Sequence, residues 1–188
     1  MLRRYSQSSN LPLTVSKEQV AFFRPRNPAL YGPDRFPIFI LHLGGTLLSS
    51  GFPLIREDGL KLMIENKRPA PDGDNEVNVG LLAQLEVKAR EILPGLEGHA
   101  HRAETCRYTL TPDEDFIIDR HPAHPHIVIV SACSGHGFKF APLFGEAIAD
   151  LITDHTPSIN LDPFRIDRAA LKENHAQSDG INNRRRTS

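Results

Sequence analysis

The sequence predicts an α+β fold: a largely antiparallel sheet with one helix set among its strands and a second helix after them. Three observations point there. Short runs rich in β-branched and aromatic residues recur along the chain, separated by long loops. One stretch, 79–93, carries apolar residues at helical spacing. Finally, HIVIV (126–130) leads through a glycine-bearing turn into PLFGEAIADLI (142–152), a strand–loop–helix unit of α/β type. Nothing upstream supplies the parallel neighbours such a unit needs.

The elements follow in order. The first fifteen or so residues read as irregular. QVAFFRP (19–25) and FPIFILHL (36–43) read as strands, joined by the proline-rich loop RPRNPALYGPDR. TLLSSGFPLI reads as a further strand, broken at Gly51 and Pro53. GLKLMIEN (59–66) alternates, which sets Lys61 on one face, and RPAPDGDNE is a loop. From Val79 to Leu93 the apolar positions 82, 85, 89 and 92 make one helical stripe, ended by Pro94 and Gly95. Next come a strand through HRAETCRYTL, a turn at TPDED, a short strand FIID and a loop RHPAHPH. HIVIV is continuous and β-branched, as in a strand buried on both faces. Pro142 suits the first turn of the last helix. Beyond Thr156 the chain is broken by proline, with a short segment near FRIDRAALK. The tail SDGINNRRRTS reads as a mobile, solvated end.

Composition narrows the function. Twenty-two basic and 23 acidic residues leave a net charge of −1, which argues against a nucleic-acid or anionic-membrane partner. The longest apolar runs fall far short of the ~20 residues that span a bilayer. The N-terminal MLRRYSQSSNLPL lacks the apolar core of a secretory signal. The two cysteines, Cys106 and Cys133, form no CxxC pair, so neither a zinc site nor a disulfide framework is indicated, and a reducing, cytoplasmic setting fits. Nine scattered histidines beside Cys106 carry no local signature of a cysteine hydrolase.

The most informative stretch is SACSGHGFKFAP (131–142). Gly135 and Gly137 permit positive φ and close backbone approach. The helix that follows turns the positive end of its dipole toward the turn, and Lys139 adds a full charge. The P-loop spacing GxxxxGK[ST] and the third glycine of GxGxxG are both missing. On physical grounds the turn either holds an anionic ligand or cofactor edge, or is a tight turn with an exposed lysine.

CRYTLTPDEDFIIDRHPAHPHIVIVSACSGHGFKFAPLFGEAIADL resembles the C-terminal part of the monomeric sarcosine oxidase and N-methyltryptophan oxidase family, FAD-dependent amine oxidases. The matching features are a cysteine with tyrosine two residues later, then TPDE, FIID, HP, and SGHGFKFAP followed by GE. Upstream, FPIFI, GFP and GLK fit the same family's substrate domain in order. The resemblance runs from about Leu11 to about Lys172. It implies a substrate-domain part over 1–105, the C-terminal part of a Rossmann-like FAD-binding domain over 106–172, and a tail over 173–188. The family's N-terminal half carries the GxGxxG that binds the ADP end of FAD. This sequence has none, so the expectation is a C-terminal half that does not retain FAD alone, and a missing N-terminal half as a possible partner.

The resemblance also implies roles. Cys106 matches the cysteine that tethers FAD through a thioether to the 8α-methyl carbon; the plainer reading is a packed thiol. Arg102 and Arg107 favour a thiolate there if they point toward it. Cys133 reads as simply packed. Gly135, His136, Gly137 and Phe138 match the loop under the isoalloxazine ring, and Lys139 the lysine that meets the substrate carboxylate beside it. Lys61 matches the lysine implicated in oxygen activation, and Tyr108 a substrate-site tyrosine; read without the family, they are an exposed strand lysine and a core tyrosine. Two positions depart: Ser50 stands where the sarcosine oxidases have tyrosine, and Glu65 where they have histidine. The implied reaction oxidises the secondary amine of an N-alkyl amino acid with O2, yielding an imine and H2O2. The alternative is an inactive remnant or one piece of a split oxidase.

Overall fold

The computed structural model describes residues 11–42, 48–55, 58–65, 69–70 and 73–172. The chain divides into two compact units. One is Ser16–Arg107; the other is Tyr108–Ser188 together with the first fifteen residues.

The first unit is an antiparallel sheet backed by a helix, as the sequence predicts. Its strands are β1 (Thr14–Pro25), β2 (Phe39–His42), β3 (Leu48–Phe52), β4 (Leu60–Ile64) and β5 (Leu96–Leu110), in the order β2-β3-β4-β1-β5. The β2–β3, β3–β4 and β4–β1 pairs are antiparallel. Alternation along β4 buries Leu60, Leu62 and Ile64, and the register sets them beside Phe23, Ala21 and Gln19 of β1. This face meets Leu85 and Ala89 of α1 (Val79–Ile92), with Tyr31 and Leu96 closing the core. Gly51 lies so close beneath the Phe39 ring that a side chain there would overlap it, and its Cβ would stand 2.8 Å from Leu62.

Helix α1 starts where two polar side chains make it start. Asn78 Oδ1 accepts from the Leu81 N–H at 3.0 Å, an N-cap. Gln19 of β1 fixes Asn78 in turn: its Oε1 accepts from Asn78 N at 2.8 Å, and its Nε2 donates to Asn78 O at 3.2 Å. The helix ends at Leu93, just before Pro94 and Gly95.

The second unit holds a hairpin, β6 (Ile117–His121) and β7 (His124–Ser131), then α2 (Ala141–Ile152) and a 3-10 turn at Asp162–Phe164. Phe116, Ile118 and Phe144 form its core, with Phe140, Ile148, Leu161 and Phe164 packed around them.

Three expectations change. The first strand begins at Thr14, earlier than its apolar pattern suggests, because two of its buried positions are the polar Ser16 and Glu18. RHPAHPH is not an open loop but the tight end of the hairpin. His121 Nδ1 accepts from the N–H groups of Ala123 and His124 at 3.1 and 3.2 Å, so a side chain closes the turn. HIVIV is not buried on both faces: Ile127, Val128 and Ile129 are half-buried and Val130 is exposed. Its partner among the described residues is β6, antiparallel. The readings of residues 1–10, of Thr46 and Leu47, of positions 68, 71 and 72 in RPAPDGDNE and of the tail 173–188 lie outside the described residues.

Candidate functional site

The turn after β7 is built by backbone constraint. Ser134 and Gly135 both sit at positive φ, 40° and 76°. Ser134 is buried and held on two sides: its N–H donates to Thr109 O at 3.0 Å, and its hydroxyl to Asp115 O at 3.0 Å. The amides of His136 and Gly137 both donate to Cys133 O at 2.9 Å. Cys133 Sγ accepts from the Thr109 N–H at 3.4 Å, so this thiol ties the turn to the end of β5.

Neither glycine of the turn tolerates a side chain. A Cβ on Gly135 would stand 2.7 Å from the Tyr108 ring, and one on Gly137 would overlap the Ala132 carbonyl. Tyr108 therefore packs directly on the turn. His136 lies against Phe116, ring centroids 4.7 Å apart, with Nδ1 2.8 Å from Ser134 O.

Phe138 and Lys139 follow in a 3-10 turn that runs straight into α2. Phe138 is 95% exposed, an unusual position for so large an apolar group. Lys139 is exposed, with Nζ 5.1 Å from the Phe140 ring centre. Helix α2 begins without a side-chain cap. An exposed aromatic, a cation and a helix N-terminus thus share one turn, a combination suited to a flat ligand that carries negative charge.

Lys61 lies in the other unit, on the sheet face opposite α1. The register puts it between Phe52 of β3 and Phe22 of β1, and its Nζ sits 4.9 Å from the Phe52 ring centre. The Arg102 guanidinium lies 4.0 Å over Phe22, so two cations and two aromatic rings interleave across four neighbouring strands, β3, β4, β1 and β5. One row along, Ser50 pairs with Met63 and shares the Lys61 face.

Cys106 is half-buried on β5 and not in a disulfide. Thr105 and Arg107 both reach the 74–75 segment: Thr105 Oγ1 donates to Asn75 O, and Arg107 Nη2 to Asp74 O and Asn75 Oδ1. Strand alternation puts Cys106 on the opposite side, that of Arg102 and Glu104, and hence on the Lys61 face. Arg102 pairs with Asp58 and Glu104, and Arg107 reaches Asp74 and Asn75.

The structure thus assembles the site residues in two groups, Lys61 with Cys106 and Tyr108 with Gly135–Lys139. Sequence reasoning passed over Ser134, Phe116, Phe22 and Phe52. Strand register alone reveals the two phenylalanines beside Lys61; nothing in their local sequence does.

Comparison with known proteins follows the same lines. The family model for FAD-dependent oxidoreductases, DAO, matches residues 2–151. N-methyl-L-tryptophan oxidase of Salmonella arizonae is 51% identical over 79 residues, which are 42% of this chain and 21% of that protein. Human peroxisomal sarcosine oxidase is 34% identical over 170 residues, 84% of this chain and 42% of its own length. Monomeric sarcosine oxidase of Bacillus sp. (strain NS-129) is 31% identical over 169 residues, 87% and 43%. Among solved structures, NikD, an amino acid oxidase of nikkomycin biosynthesis, superposes with TM-score 0.67 at 20% identity, covering 82% of this chain and 42% of its own. Glycine oxidase from Geobacillus kaustophilus gives 0.63 at 19%, covering 88% and 42%. The two structures share the fold. The chain spans less than half the length of each of these relatives.

Proposed function

This chain belongs to the FAD-dependent oxidoreductase family, and from that premise we propose that it forms the substrate-side sheet and flavin-facing turn of an amine oxidase for N-alkyl amino acids. The observation that carries the reading is the turn 134–139. Gly135 and Gly137 leave no room for side chains, and Phe138, Lys139 and His136 are exposed on it. These residues fit a flat, anionic-edged group such as the isoalloxazine ring.

The chemistry FAD supplies when bound is two-electron acceptance: a hydride equivalent leaves the carbon beside the amine nitrogen, the imine is hydrolysed, and O2 becomes H2O2. This chain's residues do the rest. Lys139 and the start of α2 stabilise negative charge at the ring edge, and Lys139 binds the substrate carboxylate. Lys61, held on Phe52, stabilises the charge that develops on oxygen. Tyr108 supports Gly135 and forms part of the substrate wall. Cys106 is the position for a thioether tether to the 8α-methyl carbon.

In this reading 106–172 is the C-terminal part of a Rossmann-like FAD-binding domain and 1–105 part of the substrate domain. The sequence contains no GxGxxG, so these 188 residues by themselves do not hold the ADP end of FAD, and activity needs the ADP-binding portion as partner.

Ser50, on the Lys61 face, removes an aromatic wall, and Glu65 puts a carboxylate near the amine. An anion there favours the ammonium form over the neutral amine that hydride transfer requires, roughly tenfold per pKa unit. Sarcosine is then a poor substrate beside larger or more basic N-alkyl amino acids, and the pH optimum is raised. The test is a panel of N-methyl amino acids scored by H2O2 release against pH, in the chain joined to an ADP-binding portion. Sarcosine ranking first with an unshifted profile contradicts the placement of Ser50 and Glu65.

A further inference from the structure

The segment after α2 lies beyond the residues matched to the family model, yet it is fastened to the candidate turn by two routes. The first is polar. Arg168 grips Asp113 with both arms, Nε to Oδ2 at 2.7 Å and Nη2 to Oδ1 at 2.9 Å. Its third nitrogen donates to Arg165 O at 3.1 Å. Asp113 Oδ1 also accepts from the Asp115 N–H at 3.3 Å. The Asp115 carbonyl then accepts two hydroxyls, Thr111 at 2.6 Å and Ser134 at 3.0 Å. Ser134 is the buried residue at φ 40° that opens the turn. The second route is aromatic: Phe164 packs on Phe116 at 5.7 Å, and Phe116 lies under His136.

A bidentate guanidinium–carboxylate pair fixes orientation as well as distance. Here it joins the 111–115 turn, whose Asp115 carbonyl accepts the hydroxyl of Ser134, a residue at positive φ that Thr109 O also holds. A non-glycine residue at that φ persists only where its surroundings hold it.

We propose that Arg168 is a positioning residue for the turn 134–139, acting through Asp113, the Asp115 carbonyl and the Ser134 hydroxyl to set where His136, Phe138 and Lys139 stand. That this turn faces a flavin rests on the function proposed above; the relay itself does not.

The experiment is amide hydrogen exchange on the full chain without FAD. It follows the His136 and Gly137 amides, which bond Cys133 O, against Ile118 and Val130 of the hairpin as an internal reference. In Arg168→Met the ratio of turn to hairpin exchange should rise about tenfold. Asp113→Asn should copy it, and Arg168→Lys should recover part of the protection. In a Ser134→Ala background, Arg168→Met should add nothing further to the turn. Should Arg168→Met fail to fold, Asp113→Asn and Arg168→Lys are read in the same way. Turn and hairpin amides accelerating equally, or full additivity with Ser134→Ala, overturns the relay and leaves the flavin reading untouched. If instead the relay holds but Asp113→Asn leaves the absorbance of bound FAD unchanged in the reconstituted oxidase, the flavin-facing assignment fails and the relay stands.

Discussion

At the scale of single residues, charge decides most. Lys61 stands between two phenylalanines, Phe22 and Phe52, on the sheet face opposite α1. In the reconstituted oxidase, Lys61→Met should slow the oxygen step on the order of 10²-fold and leave flavin reduction by substrate nearly unchanged. Stopped-flow measurement of both half-reactions checks this; equal losses in the two would move Lys61 out of the oxygen role. Asp113 tests a different charge. The Arg168 guanidinium bonded to it holds its carboxyl down at about 2, against a usual 3.8. A depressed carboxylate stabilises the fold above its unfolded value and loses that contribution as pH falls through the folded one. The pair is partly exposed, so about 1 kcal/mol is at stake. Urea midpoints should therefore show the gap between the unmodified chain and Arg168→Met closing between about pH 4 and pH 2. A gap that persists at pH 2 would show that Arg168 stabilises the fold by some other means.

At the scale of elements, polar side chains set the boundaries. Gln19 of β1 brackets Asn78, and Asn78 caps α1, so one strand residue decides where a distant helix starts. Gln19→Leu should cost about 1–2 kcal/mol by leaving the Asn78 N–H without its Gln19 acceptor. The unfolding midpoint of the chain measures it, and no change would mean that Asn78 caps without help. The same polar devices explain what the sequence does and does not reveal. Helix α1 and strand β4 are legible because their buried positions are apolar and periodic, Leu85 and Ala89 in one and Leu60, Leu62 and Ile64 in the other. The start of β1 is hidden because Ser16 and Glu18 are buried polar residues. The hairpin end is hidden because a histidine, not a glycine or asparagine pair, closes it. HIVIV misleads because β-branched composition reports strand preference, not how many faces are covered. Of the site, SGHGFKF is legible in one line of sequence. The Phe22–Lys61–Phe52 row is not, since register across three strands makes it.

At the scale of the whole molecule, the chain is a member of the FAD-dependent oxidoreductase family that spans less than half the length of the relatives compared with it. The function proposed for it is that of the flavin-holding, substrate-side portion of an amine oxidase. The most direct test joins the 188 residues to the ADP-binding portion of a relative, loads FAD, precipitates with acid and reads flavin fluorescence in pellet and supernatant. Fluorescence should stay with the pellet in the unmutated protein and move to the supernatant in Cys106→Ser; that covalent hold is what the proposed function requires. Flavin found wholly in the supernatant of the unmutated protein, or no flavin bound before precipitation, would contradict it.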